Sequence, residues 1–397
     1  MYTNKRLTIR TTLVISVLVV ITLITTRHHA DTGTCSGQMI TVPFTDVSGS
    51  IFFCTIAEAY FSALTNGTDA THYSPGGNVT RDQMSAFITR TMDQSLVRGS
   101  KRAALSQFWT TQTSGGLGIT NVGANPRLIK SDGRDVWVPN SGADTVSRVK
   151  GSDGSVIDNW TGATNAVATL VARGKIFVAG NTSPNGSLYS IDPQSPAGPV
   201  DVITNSLGNL PTAIAYDGQH VWTANATSVS IVTLTNPANV GTIVRGNPVG
   251  ILFDGSNIWV TDTGDNTLKR LDSGGAVLLS VNVGMNPRNP VFDGTNIWVP
   301  NGGSNTVTVV RATGAFLGTV LATLSGNGLN GPTTCAFDGE RIMVTDFNGD
   351  RVSLWKASDF TPIDNIATGA GSNPWGACSD GVNFWITLLS TNKLARF

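Results

Sequence analysis

The chain is poor in the side chains that most often carry acid–base catalysis. Of its 26 acidic residues only Glu58 and Glu340 are glutamates, and it has four histidines in 397 residues. Charged residues make up 13% of the chain, about half of the usual ~25%. The formal net charge is zero, so nothing electrostatic favours binding to nucleic acid or to an anionic membrane surface. These shortages weaken enzyme hypotheses before any motif is considered.

The N-terminus predicts export. Basic residues precede an apolar run from Leu13 to Ile24, as in a secretory signal, and the run is short for a membrane-spanning helix. His28-His29-Ala30 is a poor cleavage site because it lacks a small residue at minus three. We therefore expect residues 1–30 to be a signal peptide or an uncleaved membrane anchor, and the protein to be secreted or associated with the cell envelope.

Residues 35–98 predict a small helical module. Thr55 to Glu58 and Thr80 to Gln83 both match the Thr-x-x-Glu/Gln capping box that opens a helix. We expect the first helix to bury Ile56, Tyr60, Phe61 and Leu64. A Cys35–Cys54 disulfide would contribute about 3 kcal/mol in the chain-entropy model, and export favours it.

This module resembles one S-layer homology (SLH) motif. The matching stretches are Phe44-Thr45-Asp46-Val47, Tyr73-Ser74-Pro75 and Val79 to Gln83. The resemblance implies attachment to a wall-linked glycan, with Arg81 contacting the acidic sugar. One copy is present where such proteins usually combine three, and Gln83 departs from the family's acidic position. The alternative is that Thr80 and Gln83 only cap a helix and Arg81 is solvated.

Residues 105–397 carry seven copies of one pattern, illustrated by NPVGILFDGSNIWVTDTGDNTLKRL from Asn247. Short apolar runs alternate with Gly, Asn and Asp turns, which indicates β-hairpins. Successive Asp-Gly turns lie 37 to 45 residues apart, the period of a propeller blade. Arg173 replaces the turn aspartate in the second and weakest copy, so six blades is the main alternative. A tandem solenoid is the other.

The two ends of this region favour a closed ring. The last copy stops after its third strand, and Gln107 to Val122 precedes the first copy as a fourth strand without a blade. This segment resembles Ala276 to Val283, which also leads into Asn-Pro. We therefore predict an all-β, seven-bladed β-propeller that is closed by its N-terminal strand, because closure also removes open sheet edges.

Two residue sets recur in nearly every copy. An aromatic column is either a sugar-stacking surface or, the interpretation we favour, inter-blade core. Polar residues end the second strand and either chelate Ca²⁺ or, as we expect, bond to their own turns. The column comprises Trp137, Phe177, Trp222, Trp259, Trp298 and Trp385, with Met343. The polar set comprises Asn140, Asn181, Asn225, Asp262, Asn301 and Asp346.

Cys335 and Cys378 lie in the first strands of the last two blades. Cys335 is three residues before its turn aspartate and Cys378 is two residues before its own, so the two positions have opposite parity along the strand. Alternate side chains of a strand face opposite sides of its sheet. We therefore expect a Cys335–Cys378 disulfide across the gap between these blades, the alternative being two buried thiols.

The repeat resembles the YVTN family of β-propellers, within the NHL and streptogramin-lyase-like superfamily. The matching stretches include Trp137-Val138-Pro139-Asn140 and Trp298-Val299-Pro300-Asn301, each followed by Asp or Asn, Thr and Val. The resemblance implies the propeller fold and, for most members, an extracellular location; it implies no single activity.

Function, if local, should lie where the copies differ. The residue after each Asn-Pro varies, and there Arg127, Arg288 and Trp375 stand out. If the first strands line the central channel, these three would rim one mouth. They would then bind an acidic sugar or a peptide carboxylate. The alternative is ordinary surface variation.

The leading hypothesis is a non-catalytic exported propeller that recognises a glycan or protein of the cell envelope, with no cofactor, no metal site and no catalytic residue. Ca²⁺ is the only cofactor alternative. A metal-dependent lyase or lactonase is the enzyme alternative, and a purely structural envelope protein is the third. The related lyases depend on a His and a Glu near a metal. The propeller region offers only His220 and Glu340, which flank different Asp-Gly turns, so we do not expect them to converge.

Overall fold

The computed structural model describes residues 30–35, 38–61, 64–81, 83–88, 118–235, 238–244 and 246–397. The predicted signal or anchor segment therefore lies outside the described residues, apart from Ala30. The chain divides into two compact units, Met1–Arg98 and Gly99–Phe397. No helix among the described residues is long and apolar enough to cross a membrane.

The first unit combines a β-hairpin with helices. Strand β1 (Thr32–Cys35) pairs antiparallel with β2 (Gln38–Thr41), and helix α1 spans Phe53–Phe61. Residues 81 and 83–88 are also helical. The predicted Cys35–Cys54 disulfide is present and ties β1 to α1. The hairpin was not predicted, because its strands have four residues each and show no clear alternation.

Two details of α1 correct the sequence analysis. The helix begins at Phe53, so Thr55 lies inside it and does not cap it. Ser50 bonds to the turn that leads into the helix: its Oγ accepts from Phe52 N at 3.2 Å, and its carbonyl accepts from Phe53 N at 3.0 Å. Ile56 is buried as expected, but Phe61 is 64% exposed. The buried core of this unit contains Val42, Phe44, Val47, Phe53, Ile56 and Ala57.

The second unit contains seven antiparallel four-stranded sheets. Blade 1 comprises β4 (Lys130–Ser131), β5 (Asp135–Asn140), β6 (Thr145–Lys150) and β7 (Val156–Thr161). Blade 2 comprises β8 (Ala166–Ala172), β9 (Lys175–Gly180), β10 (Gly186–Ile191) and β11 (Asp201–Leu207). Blade 3 comprises β12 (Ala213–Tyr216), β13 (His220–Ala224), β14 (Ser228–Thr233) and β15 (Asn239–Val244).

The remaining blades repeat this order. Blade 4 comprises β16 (Pro248–Phe253), β17 (Ile258–Asp262), β18 (Thr267–Leu271) and β19 (Val277–Asn282). Blade 5 comprises β20 (Val291–Phe292), β21 (Asn296–Asn301), β22 (Thr306–Arg311) and β23 (Val320–Leu324). Blade 6 comprises β24 (Pro332–Phe337), β25 (Arg341–Asp346), β26 (Arg351–Lys356) and β27 (Pro362–Ala367). Blade 7 comprises β28 (Pro374–Ser379), β29 (Phe384–Leu388), β30 (Lys393–Arg396) and the N-terminal strand β3 (Gly118–Asn121), with a 3-10 turn at Leu389–Thr391.

The ring is closed as predicted. Strand β3 pairs antiparallel with β30 and completes blade 7. First strands of neighbouring blades contact one another all the way round, from β4 to β28 and from β28 back to β4. Seven blades are therefore present, and the weak second copy is a complete blade. The part of the predicted closing strand before Gly118 lies outside the described residues.

In five of the seven blades a turn side chain links the blade to the next one. The Asx residues of these turns have φ between +48° and +58°, a left-handed conformation that Asn and Asp tolerate. Each side-chain oxygen accepts from the backbone N–H at the start of the following blade. In the last case Asn392 Oδ1 accepts from Asn125 N at 2.9 Å and closes the ring. The bonded pairs are Asp144–Asn165, Asn266–Asn286, Asn305–Gly331, Asp350–Asn373 and Asn392–Asn125.

The aromatic column is inter-blade core, as expected. All five tryptophans of the column and Met343 are fully buried, and Phe177 is 3% exposed. Trp137, for example, packs with Ile176, Val178 and Tyr189 of blade 2. The column cannot stack on a sugar, because its faces are covered by the neighbouring blades.

Candidate functional site

The propeller has two faces with different chemistry. The Asp-Gly face carries the turns between the first and second strands. The Asn-Pro face carries the loops that lead into each first strand and the turns between the second and third strands; Ser141 N, for instance, donates to Asn125 O at 3.1 Å. The predicted site residues divide between these faces.

The Asp-Gly face is built from paired aspartate and tryptophan side chains. In five blades the indole N–H donates to the turn aspartate five residues earlier, over 2.6–2.9 Å. Met343 has no such donor, and Arg341 Nε contacts Asp338 there at 2.9 Å instead. In blade 2 both partners are replaced, by Arg173 and Phe177. Their joint replacement was the signal in the sequence that could have revealed the pairing.

His220 and Glu340 do not form an acid–base pair. They lie in different blades, 3 and 6, at the Asp-Gly face. His220 Nδ1 is 3.2 Å from Asp217 Oδ2, and Glu340 N donates to Asp338 Oδ1 at 3.0 Å. Across the described part of the chain, no three His, Cys, Asp or Glu side chains are close enough to hold a metal ion.

Most of the polar residues that end the second strands brace their own blades, whereas Asn181 Nδ2 donates to Pro211 O, before blade 3, at 2.6 Å. Asn140 Nδ2 donates to Ser147 Oγ, and Asn301 Nδ2 to Thr308 Oγ1, each at 2.9 Å. These bonds reach the third strand, not only the adjoining turn as we had expected. Asp262 accepts from Gly264 N at 2.9 Å and pairs with Lys269 at 2.7 Å. The set is therefore part of the scaffold.

Arg127 and Trp375 are brought together on the Asn-Pro face. The Arg127 guanidinium lies over the Trp375 ring, with Cζ 4.7 Å from the ring centroid. Phe347 of blade 6 packs edge-on against the same ring at 5.5 Å. The proximity follows from ring closure, since blade 1 is the neighbour of blade 7. Both residues are half-buried.

Arg127 has no carboxylate partner among the described residues. Its one side-chain hydrogen bond there runs from Nε to Ser141 Oγ at 3.4 Å. Burial lowers the pKa of the Arg127 guanidinium below its ordinary value, and no acid beside it offsets this. Stacking on Trp375 fixes the plane of the guanidinium but leaves in-plane N–H donors free, the geometry that suits a planar oxyanion.

Arg288 repeats this arrangement in blade 5, apart from the aromatic ring. Its backbone N donates to Pro300 O as Arg127 N donates to Pro139 O. Its side chain lies against Gly302, the counterpart of Ser141. Burial lowers the pKa of Arg288 as well. Blades 6 and 7 separate it from Arg127, so the structure does not place it against the Arg127–Trp375 pair.

The other positions after Asn-Pro offer little to a ligand. Thr212 Oγ1 donates to Val249 O at 2.8 Å, and Thr333 Oγ1 to Gly331 O at 3.0 Å. Val167 is 8% exposed. The arc from blade 5 through blades 6 and 7 to blade 1 therefore carries both arginines.

The central channel is narrow. A cavity of about 210 Å³ runs along the first strands of all seven blades. Its polar lining includes Ser131, Thr169, Asn289 and Ser379. Asn289 Oδ1 is buried without a hydrogen-bond partner among the described residues.

Cys335 and Cys378 also line this channel, and the predicted disulfide between them is wrong: both are buried free thiols. Cys335 packs with Trp298 and Ile342 in the gap towards blade 5. Cys378 packs with Ile129 and Val136 in the gap towards blade 1. Their opposite parity therefore directs them away from each other. Ala336 and Ala377 occupy the gap between blades 6 and 7 instead.

In the first unit, the second predicted capping box is confirmed. Thr80 N donates to Gln83 Oε1 at 2.9 Å, and Gln83 N to Thr80 Oγ1 at 3.3 Å. A groove of about 420 Å³ beside it is lined by Thr65, Thr68, Tyr73 and Gln83, among others. Arg81 is exposed and is not part of this lining.

Comparison with known proteins supports the fold. No protein-family model and no curated protein matches the sequence. A catalytically inactive histidine variant of virginiamycin B lyase from Staphylococcus aureus, solved with quinupristin, is similar at a TM-score of 0.59 and 16% identity, covering 70% of this chain and 98% of that one. The WD40 β-propeller domain of Doa1 is similar at a TM-score of 0.59 and 13% identity, covering 71% and 95%.

Hydrazine synthase from Kuenenia stuttgartiensis is similar at a TM-score of 0.55 and 18% identity, covering 70% of this chain and 98% of that one. These proteins differ widely in what their names describe. At such identities the similarity shows the fold alone. The chain is a seven-bladed β-propeller protein.

Proposed function

We propose that this chain is an exported, non-catalytic β-propeller that recognises an acidic ligand at the cell envelope. The observation that carries the proposal is Arg127, half-buried, held over Trp375 and without a carboxylate partner in the described part of the chain. A desolvated guanidinium with free donors gains most from a ligand oxyanion. The Cys35–Cys54 disulfide agrees with an oxidising compartment.

The first unit would hold the protein to the wall. Its support is the Thr80–Gln83 capping box, which starts the helical turn bearing the exposed Arg81. An exposed arginine there is accessible to an acidic glycan.

Binding of the full chain to purified cell-envelope glycan tests this proposal. We expect co-sedimentation with native glycan and loss of it when the glycan carboxylates have been reduced to alcohols. Arg127→Ala should weaken binding at least tenfold. Arg134→Ala is the matched control, since Arg134 is exposed on the Asp-Gly face of the same blade. Equal binding to native and reduced glycan would remove the basis of the proposal.

The contribution of the first unit is tested separately. Arg81→Ala should reduce retention on wall glycan in the full chain and leave the Arg127-dependent binding to soluble acidic probes unchanged. If Arg81→Ala retains full wall binding, the anchoring role is excluded and recognition by the propeller is not affected.

A metal-dependent lyase is the second candidate, favoured by the similarity to virginiamycin B lyase. The similar lyase variant is catalytically inactive and carries alanine in place of a histidine. The only propeller histidine here, His220, contacts Asp217 on the Asp-Gly face. Incubation with quinupristin and divalent cations, followed by liquid chromatography with tandem mass spectrometry, should show no conversion of quinupristin. A cleaved product that disappears in His220→Ala would establish the lyase instead.

A further inference from the structure

We propose that the Asn-Pro face binds an acidic polysaccharide at two points, with Arg127 and Arg288 each holding one carboxylate of the polymer. This inference rests on the proposed function and specifies its ligand. Its starting point is the equivalence of the two arginines. Both residues follow Asn-Pro, and each donates its backbone N–H to the proline carbonyl of the WVPN stretch in its own blade. Each side chain contacts the turn after that stretch, at Ser141 for Arg127 and at Gly302 for Arg288.

Neither arginine is neutralised by the described part of the protein. The ion pairs of the described propeller residues involve Arg148, Lys150, His220, Lys269 and Arg341, not these two. Burial without a nearby acid lowers the pKa of both groups. Each guanidinium has lost part of its hydration without gaining a counter-charge. An anionic ligand would supply that counter-charge.

The separation of the arginines calls for a polymer. They lie three blade steps apart around the ring, from blade 1 through blades 7 and 6 to blade 5. Adjacent first strands and sheets pack roughly 5 to 10 Å apart, which puts the two backbones on the order of 10–20 Å apart. A single small carboxylate does not bridge that span, whereas a chain with a carboxylate on each repeat does.

The surface between the arginines favours a glycan over a peptide. Its turns include small neutral residues, such as Gly302-Gly303-Ser304-Asn305 and Asn348-Gly349. Their hydroxyl and amide groups suit sugar hydroxyls. The carboxylate of Asp350 in the second turn is taken up by the backbone N–H groups of Gly371 and Asn373. Peptide recognition relies instead on apolar pockets for anchoring side chains. Met285 is the one large apolar residue strongly exposed on the described part of this arc.

Trp375 has a positioning role in this site. Arg127 covers one side of its ring and Phe347 meets it edge-on, so Trp375 orients Arg127 more than it offers a stacking surface. Trp375→Phe should therefore weaken both monomer and polymer binding about threefold to tenfold. Trp375→Ala should weaken the binding of both the monomer and the polymer, as Arg127→Ala does. Binding unchanged in both variants would exclude the positioning role.

Calorimetric titration of the full chain tests the two-point site. The probes are galacturonate, polygalacturonate, its fully methyl-esterified form and polyaspartate. We expect polygalacturonate to bind at least tenfold more tightly than galacturonate and the ester not to bind. Arg288→Ala should reduce polymer affinity at least tenfold while leaving Arg127-dependent monomer binding within twofold. Arg288→Lys should retain part of the affinity, and Arg134→Ala all of it.

The contrary outcomes are distinct. If Arg288→Ala leaves polymer binding unchanged while Arg127→Ala abolishes it, the two-point inference is wrong and the proposed function stands. If polyaspartate binds as tightly as polygalacturonate, the ligand class is wrong. If no carboxylated probe binds to a chain whose thermal unfolding matches that of the Arg134→Ala control, both proposals fail.

Discussion

The Ser353 hydroxyl has a single proton to donate but lies within hydrogen-bonding distance of two oxygen atoms. Its Oγ lies 2.8 Å from Asn327 O and within short hydrogen-bonding distance of Asp346 Oδ2. Both bonds can form only if the Asp346 carboxyl is itself protonated and donates to Ser353. Burial raises the pKa of Asp346 to about 8. The equivalent Asp262 has Lys269 seven residues later, whereas Asp346 has Ser353, so it lacks that counter-charge.

Asp346 should make the stability of the propeller depend on pH. Its folded pKa is above its unfolded value, so its stabilising contribution is complete below about pH 4 and is lost as the pH rises to about 8. The slope is about 1.4 kcal/mol per pH unit. Asp346→Asn should remove this slope and bond Ser353 as Asn140 bonds Ser147.

Urea unfolding of the propeller at pH 4, 6 and 9 measures this effect. The variant should match the wild type at pH 4 and exceed its free energy of unfolding increasingly at pH 6 and pH 9. Asp262→Asn serves as the control, because it breaks an ion pair and should be destabilising throughout. A difference between wild type and Asp346→Asn that does not change with pH would contradict the assignment.

The two free cysteines should be inert in the folded protein. Burial raises the pKa of Cys378 to about 12 and that of Cys335 above its ordinary value, so the reactive thiolate is scarce at pH 8. A thiol reagent such as Ellman's reagent should detect no thiol in the native chain. It should detect two after unfolding without reductant, since Cys35 and Cys54 are bonded. None after unfolding would indicate a second disulfide.

At the scale of the element, the Asp–Trp pair supports five of the seven blades. Trp298 Nε1 donates to Asp293 Oδ2 at 2.7 Å, and Asp293 Oδ1 accepts from Thr295 N and Asn296 N. A hydrogen bond to a charged group contributes about 1.5–3 kcal/mol. Blade 2 forms without the pair, so its loss should weaken a blade without abolishing it.

Trp298→Phe should lower the free energy of unfolding by about 2–4 kcal/mol, combining the lost hydrogen bond with lost packing. Asp293→Ala should lower the free energy of unfolding less in the Trp298→Phe variant than in the wild type, because the indole N–H that bonds Asp293 is already missing there. The coupling energy from this double-mutant cycle should be about 1–3 kcal/mol. Additive effects would mean that the bond contributes nothing.

Strand patterns in the sequence predict the structure of a single blade better than they predict which residues of neighbouring blades are in contact. The Asp-Gly turns and apolar runs indicate the strands because those signals are local. The Cys335–Cys378 error arose because parity shows that two side chains face opposite sides, not which side faces which neighbour. The hairpin β1–β2 was missed for a related reason: a disulfide and a small core hold it, and no local pattern marks it.

The site on the Asn-Pro face was predicted only in part. Variation after Asn-Pro singled out Arg127, Arg288 and Trp375, since the scaffold places no demand on those side chains. The stacking of Arg127 on Trp375 required ring closure, which makes the first and last blades neighbours. The contact with Phe347 could not be predicted, because Phe347 lies in a turn and no repeat pattern specifies it.

At the scale of the whole molecule, β3 should be essential to the propeller. It covers the outer edge of β30 and places the chain for the Asn125–Asn392 bond. Removal of residues 1–121 should leave that edge open, lower the thermal midpoint and promote aggregation. Removal of residues 1–98, which ends where the second compact unit begins, is the control and should preserve the midpoint. Static light scattering with thermal unfolding distinguishes the two; equal behaviour would show that closure does not need β3.

The position of β3 also determines when the propeller can become complete during synthesis. The bond from Asn125 to Asn392 joins residues 267 apart, and at about 5–20 residues per second the second partner is made roughly 13 to 53 s after the first. Throughout that interval β3 has no partner strand, and blade 1 lacks one of its two neighbours. The ring can therefore close only after β30, residues Lys393–Arg396, has been synthesised.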